Sequence, residues 1–120
     1  MAYLLDSYAW LEYFGGNDAY SRFVETESNY TASVSLTEII RALIRKKAGR
    51  SQIGKCLNFI GKKRTILPIG ESDAVRAGFI AEEAGLHFSD ALVYSLAGKE
   101  RLLVTGDKHF KGKDHVEFVK

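Results

Sequence analysis

Short apolar runs at residues 3–5, 30–32, 65–69 and 102–105 alternate with longer segments whose apolar residues recur at helical spacing, and a fifth run follows at 116–118. This alternation is the strongest constraint on the fold. Parallel strands need a crossover of a dozen or more residues, and a helix is the usual one. Repeated strand and helix therefore imply a parallel sheet with helices over both faces. The expected architecture is α/β, a three-layer α/β/α sandwich around a central, mainly parallel sheet of about five strands. Helices are expected at residues 7–14, ended by Gly15 and Gly16, and at 18–27. Leu36, Ile39, Ile40, Leu43 and Ile44 mark a third, which Gly49 stops before a fourth at 51–60. Ser72 is placed to cap a fifth helix ending at Gly85, and Ser89 a sixth that opens with Asp90. Pro68 assigns the third strand to an edge or an end.

Other features bound the function more loosely. At 120 residues the chain reads as one domain, 1–120, able to bury roughly two-thirds of its unfolded surface. Cys56 is the single cysteine, which excludes an intrachain disulfide and fits a reducing compartment. No apolar run approaches the roughly 18 residues of a membrane span. The first residues lack a basic leader and carry Asp6 and Glu12, so a cytoplasmic protein without membrane partners is expected. Net charge is only +2, yet residues 39–70 hold no acid and nine basic residues: Arg41, Arg45, Lys46, Lys47, Arg50, Lys55, Lys62, Lys63 and Arg64. Such a block is either a solvated surface or a phosphate-binding face.

Acidic residues fall where strands end and helices begin. In open parallel sheets, sites form beyond the carboxyl ends of strands, where the strand order reverses. Asp6 ends the first apolar run and Asp107 lies just past the fourth. If those strands are neighbours, about 4.8 Å apart, the two carboxylates can share an ion. Asp90, at the start of the helix leading into the fourth strand, can face the same crevice. Each acid also has a local reading. Ser35 to Glu38 fits the S-x-x-E capping box, and Glu38 shares a face with Arg41 and Arg45 for an intrahelical ion pair. Asp90 suits the first turn of a helix dipole.

Together these acids fit a pattern. An acid after the first strand, the SLTE helix, FSDALVYSLA and LLVTGDKHF resemble the PIN-domain family, especially its small VapC-type toxins of type II toxin-antitoxin systems. The resemblance spans almost the whole chain; SDAL followed by LVTGD, with Asp107 seventeen residues after Asp90, is its most specific part. It implies a PIN-like fold and a metal-dependent endoribonuclease that hydrolyses phosphodiester bonds of RNA with Mg²⁺, or Mn²⁺ in its place. It also implies a small antitoxin partner and a homodimer. Carried over by motif, the catalytic and metal-ligating acids are Asp6, Glu38, Asp90 and Asp107. Two departures stand out: Tyr8 occupies a position where the family often has a hydroxyl residue, and Phe110 one where it often has a second acid.

Oxygen-rich carboxylates suit a hard cation such as Mg²⁺, which keeps several of its waters. Four of them without a cation repel one another and raise one another's pKa. Asp6 and Asp90 are expected as core ligands, Asp107 as a direct or water-mediated one. Glu38 would orient the attacking water or help hold a second ion. Ser7 and Thr105 would support the acids by hydroxyl hydrogen bonds, and Arg41, Arg45 and Lys108 would contact RNA. His87, His109 and His115 stand at no recognised metal spacing and read as surface or structural residues. Tyr8, Trp10, Tyr13 and Phe14 read as core or interface; an exposed Tyr8 would be a candidate base platform. A haloacid-dehalogenase-like phosphatase would need an acid where Tyr8 stands, and a receiver domain an acidic pair near the first strand. The remaining alternative is a non-catalytic RNA-binding or scaffold PIN module, which predicts loss of the acids.

Overall fold

The computed structural model describes residues 2–26, 28–63 and 65–120. The chain lays down β1 (Ala2–Leu5), α1 (Ser7–Phe14), a 3-10 turn (Asp18–Tyr20), α2 (Ser21–Val24), β2 (Asn29–Ala32) and α3 (Ser33–Arg45). Then follow α4 (Arg50–Lys63), β3 (Thr65–Leu67), α5 (Glu71–Ala84), α6 (Phe88–Tyr94), β4 (Arg101–Thr105), a second 3-10 turn (Lys108–Phe110) and β5 (Val116–Phe118). The five strands are parallel, in the order β3-β2-β1-β4-β5. From β1 the chain moves outward to β2 and β3, then returns to place β4 on β1's other side. The order therefore reverses at the β1/β4 pair, where Leu5 lies opposite Val104. β3, followed by Pro68, is an edge strand as expected.

The two-residue period of a strand divides the core. Leu5 and Val104 join Trp10, Phe23, Ile39 and Ile60 in one cluster; Leu4 and Leu103 join Ala77, Ala91 and Val93 in the other. Helices α1 to α4 cover the first face, and α5 and α6 the second, completing three layers. Each fully buried large side chain contributes about 1.5–3 kcal/mol. Trp10 and Phe14 stack at 5.6 Å, and Tyr13 stacks on Phe59 at 5.9 Å. These aromatics pack within the chain, so they lend no support to a homodimer. Among the described residues, no helix is long and apolar enough to cross a membrane.

Helix starts differ most from expectation. β2 runs into α3 without a loop, so the helix begins at Ser33 and Ser35 lies inside it, fully buried, its hydroxyl without a protein partner. The capping box at Ser35 and Glu38 is not formed. Ser72 is likewise inside α5, whose first turn is closed by the Asp73 carboxylate accepting from the Gly70 N–H at 3.0 Å. Ser89 is inside α6; the cap is His87, whose Nδ1 accepts from the Ser89 N–H. Gly85 ends α5 as expected, at φ 67°, a conformation that favours glycine. The helix expected at 18–27 is a 3-10 turn followed by a short α2 that stops at Val24. There the Asn29 side chain donates to the carbonyls of Phe23, Val24 and Thr26 and turns the chain into β2. Glu27, its expected end, lies outside the described residues. In the basic block Arg41, Arg45, Lys46, Lys47, Arg50, Lys55 and Lys62 are exposed; the side chain of Lys63, and Arg64, lie outside the described residues.

Candidate metal centre

Asp6 follows the last residue of β1 and is the N-cap of α1, its Oδ1 accepting from the Ala9 N–H at 2.8 Å. Asp107 stands two residues past β4 and caps the second 3-10 turn, accepting from the His109 N–H at 3.0 Å. Both caps are local grammar, yet the sheet puts them side by side at the point where strand order reverses. Thr105 links them: its hydroxyl accepts from the Asp107 N–H at 3.0 Å and donates to the Asp6 carboxylate. Asp90 enters from the first turn of α6, and Glu38 from α3. Asp6, Glu38, Asp90 and Asp107 line one cleft of about 160 Å³, floored by Val93 and Phe110 and walled by Ser7, Tyr8 and Leu11. The four acids singled out in the sequence are thus brought together.

Glu38 is held by tertiary contacts. Its carboxylate accepts from Ser7 Oγ at 3.2 Å and Ser89 Oγ at 3.3 Å, so hydroxyls from α1 and α6 clamp it from both sides. Among the described residues no ion pair joins Glu38 to Arg41 or Arg45. Ser7 thus supports Glu38, and Thr105 supports Asp6 and Asp107. Arg41 and Arg45 are exposed on α3 and do not line the cleft; Lys108 borders an adjoining groove.

The electrostatics follow from this crowding. Burial raises the Asp6 carboxyl to about 7, with Asp107 and Glu38 adding to the rise and hydrogen bonds from Thr105 and Ala9 opposing it. The Asp90 carboxyl is also pushed up, first by burial and then by Asp107 and Glu38, while His109 and His87 pull the other way. Carboxylates that repel one another at a strand-order reversal suit a divalent cation. Asp90, Asp107 and His109 each offer a ligand atom, all within 4.8 Å of one another. His109 Nδ1 lies 3.1 Å from Asp107 Oδ1. His109, expected as a surface or structural residue, is exposed and also stands within reach of Asp90 and Asp107, two residues after a strand-end acid. Phe110, at the position where the family often has a second acid, is buried in the core.

A model of the PIN domain matches residues 3–116. The chain belongs to the PIN domain family. Solved structures agree on the PIN fold. A toxin-antitoxin complex from Klebsiella pneumoniae matches with a TM-score of 0.81 and 19% identity, covering 97% of this chain and 96% of that one. VapBC2 from Rickettsia felis, bound to a DNA fragment from its promoter, matches with a TM-score of 0.77 and 19% identity over 100% of both chains. A protein from Pyrobaculum aerophilum matches with a TM-score of 0.72 and 20% identity over 100% of this chain and 88% of that one. No curated protein matches this PIN domain in sequence.

Proposed function

We propose that this PIN domain, spanning 1–120, is a divalent-metal-dependent endoribonuclease, the toxin of a toxin-antitoxin pair. The observation that carries this reading is the convergence of Asp6, Glu38, Asp90 and Asp107 on one cleft at the β1/β4 reversal. Asp6, Asp90 and Asp107 would hold the cation, with Glu38 at its edge. Mg²⁺ fits the oxygen donors. His109 adds a nitrogen that Mn²⁺ accepts more readily. A bound cation would polarise the phosphate and lower the pKa of a water. Glu38, clamped by Ser7 and Ser89, then orients the attacking water and receives its proton. Thr105 fixes Asp6 and Asp107 in their mutual geometry. Exposed Arg41 and Arg45, one and two turns beyond Glu38, would draw in the RNA backbone. A small antitoxin partner completes the reading, supported by the toxin-antitoxin structures that share the fold; a homodimeric assembly and a cytoplasmic setting are proposed with it.

The test is cleavage of mixed-sequence single-stranded RNA in chelator, Mg²⁺ and Mn²⁺. Wild type should cleave only with metal. Loss of groups that merely orient metal ligands costs about 10–100-fold, so Asp90→Asn should lose at least about 100-fold while its circular dichroism stays native. Near-wild-type cleavage by Asp90→Asn would sink the assignment. RNA binding without cleavage in either metal would favour a scaffold module instead.

A further inference from the structure

Beside the acidic cleft lies a second groove of about 320 Å³, and the Tyr8 side chain forms a wall of both. Its other sides carry Lys108 and Lys111 from the second 3-10 turn and its exit, with Phe118 of β5 and Lys120. Tyr8 is 41% exposed although it sits in an otherwise buried part of α1. Gly106 holds it there. A Cβ at Gly106 would stand 2.6 Å from Tyr8 Cε1 and 2.9 Å from the Val119 carbonyl, so only a bare backbone lets the ring lie against the end of β4. The Lys111 ammonium lies 5.6 Å over the Phe118 ring, which shows that a cation reaches this aromatic face. The one acid in the lining, Glu12, is tied back by Asn17 Nδ2 at 2.9 Å.

Three lysines and the Tyr8 and Phe118 rings, directly against a cluster of carboxylates, make an unusual pairing. The lysines suit phosphates and the rings suit unstacked bases, which are the two means by which single strands are held. We infer that this groove is a nucleotide subsite of the substrate strand. A base beside the scissile phosphate stacks on Tyr8, and the adjoining phosphates lie along Lys108, Lys111 and Lys120. The inference rests on the nuclease reading and adds to it a requirement for an unpaired nucleotide at this position. A duplex keeps its bases stacked on one another and cannot offer one to Tyr8.

The test measures binding in chelator, where cleavage is absent, with a mixed-sequence single-stranded RNA ten-mer carrying one fluorescent 2-aminopurine. Tyr8→Ala should weaken affinity about 5-fold or more, whereas Tyr8→Phe should stay close to wild type. Substituting all three lysines with alanine should reduce the slope of log affinity against log salt by about 2. A perfect RNA duplex should bind more weakly than the single strand and ignore Tyr8→Ala. Unchanged affinity and slope in the Tyr8→Ala and lysine variants would overturn the subsite. So would variants that keep RNA affinity but lose a protein partner. Asp90→Asn run alongside separates the two readings: if it is inactive while the groove variants bind and cleave as wild type, the nuclease stands and the subsite falls.

Discussion

Two concavities at opposite ends of the sheet show what marks a site. The wider one, about 690 Å³, opens at the amino-terminal ends of β1 and β4 and contains Arg76 and Arg101. Both arginines are matched within the chain. Arg76 donates to the Ser95 carbonyl at 2.8 Å and pairs with Asp73 at 2.9 Å. Arg101 donates to the Leu96 carbonyl at 2.9 Å and lies 5.1 Å over the Tyr30 ring. The narrower cleft, about 160 Å³, gathers four acids, and burial, with their mutual repulsion adding to it, pushes the Asp6 and Asp90 carboxyls upward. Volume is a poor guide here. A surplus of one charge that the fold leaves uncompensated is the better one.

The largest test of this contrast is the pH dependence of stability without metal. Folding holds the Asp6 carboxyl near 7 against an ordinary 3.8, so between those values the native state keeps a proton that the unfolded chain releases. Stability from this group is full below about pH 4 and falls as pH rises toward 7. At about 1.4 kcal/mol per pKa unit, the loss reaches roughly 4 kcal/mol. Asp6→Asn lacks this titration, so in chelator it should overtake wild type as pH rises from 4 to 7.5 in urea unfolding. A difference between the two proteins that stays flat with pH would break the account.

Metal should reverse that penalty. At tenfold excess over Kd, Mg²⁺ or Mn²⁺ should stabilise wild type by about 1.4 kcal/mol, read as a rise in melting temperature. Asp6→Asn and Asp90→Asn should gain much less at the same concentration, and His109→Ala should lose more of the Mn²⁺ effect than of the Mg²⁺ effect. Equal metal shifts in wild type and Asp6→Asn would return the acids to plain helix caps.

The opposite cavity should behave as structure. Arg76→Ala removes the hydrogen bond to the Ser95 carbonyl and should cost about 1 kcal/mol. Its metal-induced stabilisation and its cleavage of RNA should equal wild type's. A fall in either would mean that the two ends are coupled, and the contrast would need redrawing.

The layers were legible in local patterning, and the four acids only in the combined pattern of SLTE, SDAL and LVTGD, since singly each also reads as a cap or first-turn acid. Strand-length apolar runs gave the sheet, and Asp6 and Asp107 stand at strand ends. Caps were not legible, since Ser35, Ser72 and Ser89 look like caps until the strand or turn before them is seen to lead straight into the helix. Glu38 was legible as an acid but not in its setting, because its hydroxyl partners come from Ser7 and Ser89, on two other helices. His109 escaped for the same reason: its relation to Asp90 exists only once α6 packs beside the end of β4. The groove beside Tyr8 depends on Gly106, whose need to be bare comes from the Tyr20 hydroxyl, the Tyr8 ring and the Val119 carbonyl, all distant in sequence.

The pairing of Leu5 with Val104 also sets a clock. β1 sits in the middle of the sheet, but its neighbour on one side is supplied almost a whole chain length later. Closing a loop of that length costs about 4 kcal/mol in chain entropy before any contact rewards it. Folds governed by such distant pairings form slowly. Asp6 and Glu38 can be set in place when β1, β2 and their helices meet, whereas Asp107 arrives only with β4. Until that strand docks there is no complete charge cluster and no wall for the Tyr8 groove, so the whole cleft depends on the pairing that closes the longest loop.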